Sequence, residues 1–207
     1  MKRRGIYVEI VIRADLNAVW KYTQDPVEHV RWDIRFSSIV PVSDPGEAYT
    51  QFRYSRTVPF HTVHGWGTSV GESSRADGTR TSALRFCTED RLSPIRAGRG
   101  YWRYVPTGDG VRFITGYDYD PGWGLLDVLV RPVLAWATAW SFDRLRVWLE
   151  GGTEPESWPL ISVLWWWRPD RPRASRCHRS RDRAVRHRAV LDDAPASLAS
   201  LAEPRKH

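Results

Sequence analysis

Between residues 36 and 120 the chain alternates between β-type runs and turn residues, with six such runs: FSSIVPV, YTQFRYSRTV, HTVHGWGTSVGES, TRTSALRFCTE, GYWRYVP and VRFITGYDYD. The separators contain DPG, ADG and GDG, and a bare PF joins the second run to the third. Glycine beside an acidic or small residue supplies the backbone conformations that tight hairpins require. Six runs joined this closely predict a meandering antiparallel sheet. One face of such a sheet is apolar, and something else must cover it.

The cover follows directly. After Pro121 and Gly122, residues 123–150 keep a helical pattern for about 28 positions, roughly 40 Å of helix. Leu126, Leu129, Val133, Trp136 or Ala137, and Trp140 form one apolar stripe. Pro132 predicts a kink, or a helix that begins near Arg131, and Gly151 and Gly152 end the pattern. The run DVLVRPVLAWATAWSFDRLRVWLE invites a membrane reading. Its uncharged core, residues 132–142, holds 11 residues, whereas a span needs about 20, so a buried helix is expected.

Ahead of the sheet, residues 6–14 alternate and are β-branched, which predicts a strand. Asp15 is placed to cap a helix through LNAVWKYTQ, with Leu16, Val19, Trp20 and Thr23 on one face. Pro26 suits the first turn of a second short helix, PVEHVRW.

These residues are similar to a known order. The opening IRADLNAVWKYTQDPVEHVRWDIRFSSI and the closing TGYDYDPGWGLLDVLVRPVLAWATAWSFDRLRVWLE, taken with the six strands between them, resemble the START-like (SRPBCC) superfamily. That superfamily includes birch-pollen-allergen type proteins, lipid-transfer START domains and polyketide cyclase/dehydrase proteins. The resemblance covers about residues 4–152. It implies an α+β helix-grip fold, in which a curved antiparallel sheet of about seven strands carries two short helices after strand one and a long C-terminal helix across it. It also implies a cavity between sheet and helix that holds a small hydrophobic or lipid-like ligand, or else a metal-free cyclase/dehydrase-type reaction in that cavity. The glycine run of the plant members is absent from GESSRADGTR. No catalytic motif matches, so no active-site residue is carried over.

Alternation along the strands sorts the candidates by face. One set contains Phe52, Tyr54, Trp66, Leu84, Phe86, Trp102, Tyr104, Phe113, Tyr117 and Tyr119. With Trp136 and Trp140 from the helix it makes an aromatic interior. From it, Tyr54, Trp66, Phe86, Trp102, Tyr104, Phe113, Tyr117, Trp136 and Trp140 are the expected ligand-binding residues; packing alone would also place such rings inside. Arg53, Arg85 and Arg103 alternate with this set and belong on the outer face. His61 and His64 are three apart and so on opposite faces of a strand, which argues against a shared metal. His64, sharing parity with Trp66, and Asp118, sharing parity with Asp120, are the candidate acid/base groups; a solvated histidine and turn chemistry at Asp120-Pro121-Gly122 are their plain alternatives.

Composition narrows the rest. The 12 tryptophans among 207 residues supply much of the area a core can bury. The start, MKRRGIYVEIVIR, lacks the apolar run and cleavage site of a secretion signal. Cys87 and Cys177, the only cysteines, fit neither a disulfide framework nor a zinc cluster. No nucleotide fingerprint or nucleophile elbow is present. No cofactor is expected; a cytoplasmic location is, with peripheral membrane association as its alternative.

The net charge of +7 is not spread evenly. Residues 1–167 hold 20 basic and 19 acidic side chains, and residues 168–207 hold 11 and 5. That distribution argues against a nucleic-acid-binding face on the domain. Residues 153–207 read as a disordered Trp/Arg/Pro-rich extension. Trp165, Trp166 and Trp167 followed by Arg168, Arg171 and Arg173 resemble an interfacial anchor for an anionic membrane; an RNA-binding arm competes with that reading. The abrupt loss of periodicity after Gly152 is also what a shifted frame in a GC-rich gene would give.

Overall fold

The structure is a computed structural model, and it describes residues 5–42, 48–72, 76–180 and 189–204. The DPG turn at 44–46 and the arginine-rich run at 181–188 lie outside the described residues.

Strand β1 (Ile6–Ile12) is followed by helices α1 (Leu16–Gln24) and α2 (Pro26–Trp32), then by strands β2 (Ser38–Pro41), β3 (Thr50–Val58), β4 (His61–Glu72), β5 (Arg80–Cys87), β6 (Ile95–Thr107) and β7 (Gly110–Pro121). The caps form as the sequence implies. The Asp15 carboxylate accepts from the amides of Asn17 at 2.8 Å and Ala18 at 3.4 Å. Asp25 accepts from Val27 at 2.9 Å, with Pro26 in the first turn of α2. All seven strands lie in one antiparallel sheet, ordered β1-β7-β6-β5-β4-β3-β2.

Helix α3 (Asp127–Gly151) crosses the inner face, entered through a 3-10 turn at Gly124–Leu126. It ends on Gly152, whose left-handed φ of 68° lets its amide reach the Trp148 carbonyl at 2.9 Å. The helix begins ahead of Arg131 and runs through Pro132. The bond that proline forfeits is to Val128, which is exposed to water.

The core fills the space between the sheet and the second half of α3. Phe113 stacks on Tyr104 at 5.0 Å and on Phe142 at 4.3 Å, and Trp32 meets Phe142 edge-on at 6.1 Å. Ile6, Val8, Ile10 and Ile12 back this cluster from β1. The expected stripe on α3 divides into two parts: Trp140 is buried, while Leu126, Leu129 and Val133 are exposed. The second half of the helix lies on packed rings, and the first half spans a void.

After Gly152 the chain was expected to lack order, and here its described parts pack against the domain. Asp143, fully buried on α3, accepts from Arg146 Nε at 2.6 Å, the Arg173 amide at 2.7 Å and Arg176 Nη1 at 2.9 Å. The Arg144 guanidinium donates to the Pro155 carbonyl. His178 exchanges two 2.9 Å backbone bonds with Glu9 on the outer edge of β1. Further on, Leu198 and Leu201, the former in the short helix α4 (Ser197–Ser200), cover Ala83 on the outer sheet face. Arg85 holds Glu203 and the Leu198 carbonyl, and Arg103 the Asp193 carbonyl. Buried Asp143 and the open edge of β1 both need partners, and an arginine-rich average conceals the spaced anchors Trp158, Ala174, Cys177, Leu198 and Leu201 that dock the segment.

Candidate functional site

The void beneath the first half of α3 is a cavity of about 930 Å³ between the inner sheet face and the three helices α1, α2 and α3. Hairpin geometry decides which side chains face it. Val58 pairs with His61 across Pro59 and Phe60, so even positions of β3 share a face with odd positions of β4. Phe52 and Tyr54 therefore stand opposite Gly67 and Gly65, and Phe86 opposite Gly98. The tip of each ring reaches over the bare backbone of its glycine partner, into the space that a Cβ would occupy. The aromatic wall depends on those three missing side chains.

Of the residues expected at the ligand, Tyr54, Phe86, Trp102, Tyr117 and Trp136 line the cavity. Tyr104, Phe113 and Trp140 are core residues with at most 1% exposure; the Tyr104 hydroxyl is taken up by Thr23 at 2.7 Å and Gln24 at 2.8 Å. Trp66 is on the outer face, 5.7 Å from the Arg53 guanidinium. His64 is on the same outer side and exposed. Asp118 also faces outward, opposite Arg99, and its carboxylate accepts from the Tyr119 amide at 2.8 Å. Neither acid/base candidate reaches the cavity. Counting parity through the PF turn would have moved both His64 and Trp66 outward from sequence alone.

Its two arginines come from the loop after α2 and from β3, and its two histidines, His29 and His61, from α2 and β4. Asp33 is fully buried and accepts from Arg35 Nη2 at 2.6 Å and Nε at 2.9 Å, with His29 Nε2 at 3.1 Å. Arg35 Nη1 donates to Thr138 Oγ1 at 3.1 Å, and that hydroxyl lies 3.0 Å from the Tyr117 hydroxyl. Burial alone would raise the Asp33 carboxyl; the Arg35 charge and hydrogen bonds, with His29, hold it well below the usual carboxylate range. Burial pushes the Tyr117 hydroxyl up, so it stays protonated. Arg35 and Arg56 both line the cavity, and no carboxylate among the described residues does. Sequence reading missed both arginines. For Arg56 the signal was available, because it shares parity with Phe52 and Tyr54.

No family model matches the sequence. The "Uncharacterized membrane protein YndG" of Bacillus subtilis is 39% identical over 172 residues, a match that covers 80% of this chain and 64% of that protein. The chain thus spans just under two thirds of this relative's length. A match over 80% of the chain also runs past Gly152 wherever it starts. The relative's name overturns the expected cytoplasmic location. The helix that raised the membrane question, Gly124–Gly151, is long and apolar enough to cross a bilayer, although in this fold its second half holds buried, hydrogen-bonded Asp143 and Arg144.

Among solved structures, the di-domain ARO/CYC StfQ of the steffimycin biosynthetic pathway superposes with a TM-score of 0.55 at 11% identity, over 71% of this chain and 50% of that one. A protein from Arthrobacter aurescens gives 0.53 at 12%, over 72% and 88%. Sheet order, the two short helices, the gripping α3 and these superpositions together assign the chain the START-like helix-grip fold.

Proposed function

We propose that the domain binds a small hydrophobic, lipid-like ligand in the cavity between the sheet and α3. The observation that carries this reading is a void of about 930 Å³ walled by Tyr54, Phe86, Trp102, Tyr117 and Trp136, near the upper end of the roughly 300–1,000 Å³ that ligand pockets occupy. Apolar surface buried there contributes about 25 cal/mol per Å², less the cost of ordering the ligand. Trp20, Trp102, Trp123 and Trp136 line the void, so intrinsic fluorescence reports occupancy. Native mass spectrometry of gently purified protein is expected to show a copurified ligand, and lipid titration to give saturable quenching. A panel of lipids and aromatic metabolites without saturable quenching would sink the reading. Cyclase chemistry of the kind named for StfQ would instead need a proton-moving group at the wall. His64 and Asp118 face away and Asp33 is committed to Arg35, which leaves His29, bonded to Asp33, and His61, bonded to Asp90, as the wall groups such chemistry would have to use.

A membrane setting is the second reading, favoured by two observations. The Bacillus subtilis relative is called a membrane protein, and Leu125, Val128, Leu129 and Trp166 are each more than 60% exposed. Trp123, Val133 and Leu160 combine exposure with a place on the cavity wall, so a bilayer at this face would meet the ligand's entrance. Serine at Leu125 and Leu129 together is expected to shift the expressed chain from the membrane fraction to the supernatant. An unchanged distribution would remove this face from the reading.

A further inference from the structure

The charges around the cavity do not balance. Asp33 neutralises Arg35, and His61 on the wall pairs with Asp90 at 2.7 Å. Arg56 projects from the inner face of β3 between Tyr54 and Val58, half-buried. Among the described residues its guanidinium has no hydrogen bond or ion pair, and Asp33, already bound by Arg35 and His29, is the only charged group that acts on it. Burial moves the Arg56 guanidinium down from its ordinary value, although a guanidinium stays charged throughout the physiological range. A cation left unpartnered on an aromatic wall is costly unless something completes it.

Resting on the hydrophobic-ligand reading above, we infer that the ligand is a single-chain amphiphile with one anionic head, held by Arg56 while its chain lies against the Tyr54, Phe86 and Trp102 rings. The guanidinium presents parallel N–H groups that match a carboxylate or phosphate fork to fork. Arg35 cannot do this, because its Nε and Nη2 are bound to Asp33 and its Nη1 to Thr138. One excess cation at the wall matches one anionic head.

The test titrates the full chain with palmitate, hexadecyl phosphate and hexadecanol, reading tryptophan quenching. Wild-type protein is expected to prefer an anionic head over the alcohol by about tenfold or more, the range of a charge-assisted hydrogen bond; the ratio of palmitate to hexadecyl phosphate tells a carboxylate from a phosphate source. Arg56→Gln is expected to abolish the preference, bringing the affinities of both anions down to that of hexadecanol in the same variant, and Arg56→Lys to restore part of it. Equal binding of acid and alcohol by wild type, or a preference that survives Arg56→Gln, overturns the inference and leaves the hydrophobic-ligand reading standing. Saturable binding of none of the three overturns both.

Discussion

Asp33 shows what a single residue determines in this fold. It has no exposure, and four groups from two side chains and the backbone converge on it: Arg35 Nε and Nη2, His29 Nε2 and the Arg35 amide. Replacing it with asparagine leaves the Arg35 guanidinium buried beside a neutral amide, and is expected to cost about 3–5 kcal/mol in denaturant unfolding. The pH dependence has a definite sign. The unfolded carboxyl takes up its proton near its ordinary value of about 4, while the folded one resists well below that. Stability from the pair is therefore full above about pH 4 and lost as pH falls toward the folded value. Urea midpoints between pH 7 and pH 3 should fall more steeply for wild type than for Asp33→Asn; parallel slopes would refute the assignment. The sequence did not disclose Asp33, because a buried carboxylate in Trp-Asp-Ile-Arg spells the same as a surface one. Burial is a property of what packs above it.

At the scale of elements, α3 is two helices in one energetically. Leu145 is fully buried and Leu129 about two thirds exposed. Leu145→Ala is expected to cost about 2–5 kcal/mol and Leu129→Ser no more than about 0.5 kcal/mol, as measured by chemical denaturation; similar costs would mean that the first half packs against something in solution. The helix and its stripe were legible from a 3.6-residue period, which records one apolar face and not what occupies the space beneath it. The aromatic wall is the converse case. Ring positions on β3 and β5 followed from alternation, whereas the face of β4 required the two-residue PF turn, and the glycines at 65, 67 and 98 identify the strand backbones on which rings lie. Gly65→Val is expected to cost about 1–3 kcal/mol through overpacking against Tyr54. It should also weaken ligand affinity by crowding the wall, which a quenching titration would read.

For the whole molecule, we propose that residues 1–152 carry the START-like fold and that the following segment acts as a clamp on it. Cys177 reports the clamp. Its thiol is buried, donates to the Ala139 carbonyl at 3.1 Å, and is pushed up by burial and by the neighbouring Asp143 charge, so the reactive thiolate is scarce. With Cys87→Ser as background, Cys177 is expected to resist thiol reagents at pH 8 in the intact chain. Arg176→Ala, which removes one bond to Asp143, should loosen the clamp by about 1–3 kcal/mol and speed labelling. Labelling of the intact chain at the rate of a free thiol would show that the clamp is open. This docking was illegible in the sequence because its anchors are single residues scattered through a polar, arginine-rich text, with no period for a pattern search to find.

The pairing of β1 has a kinetic consequence. Ile6 meets Tyr117 on one edge, and Glu9 meets His178 on the other. The first of the seven strands in chain order is thus the last to be satisfied on both sides, and Ile6, Val8, Ile10 and Ile12 must wait unshielded until β7 and the segment around His178 have been made. Contacts this distant in sequence slow folding and lengthen exposure to misassembly. The domain's sheet is complete only after β7 has been made, so β1 is the part of the nascent domain in greatest need of a chaperone.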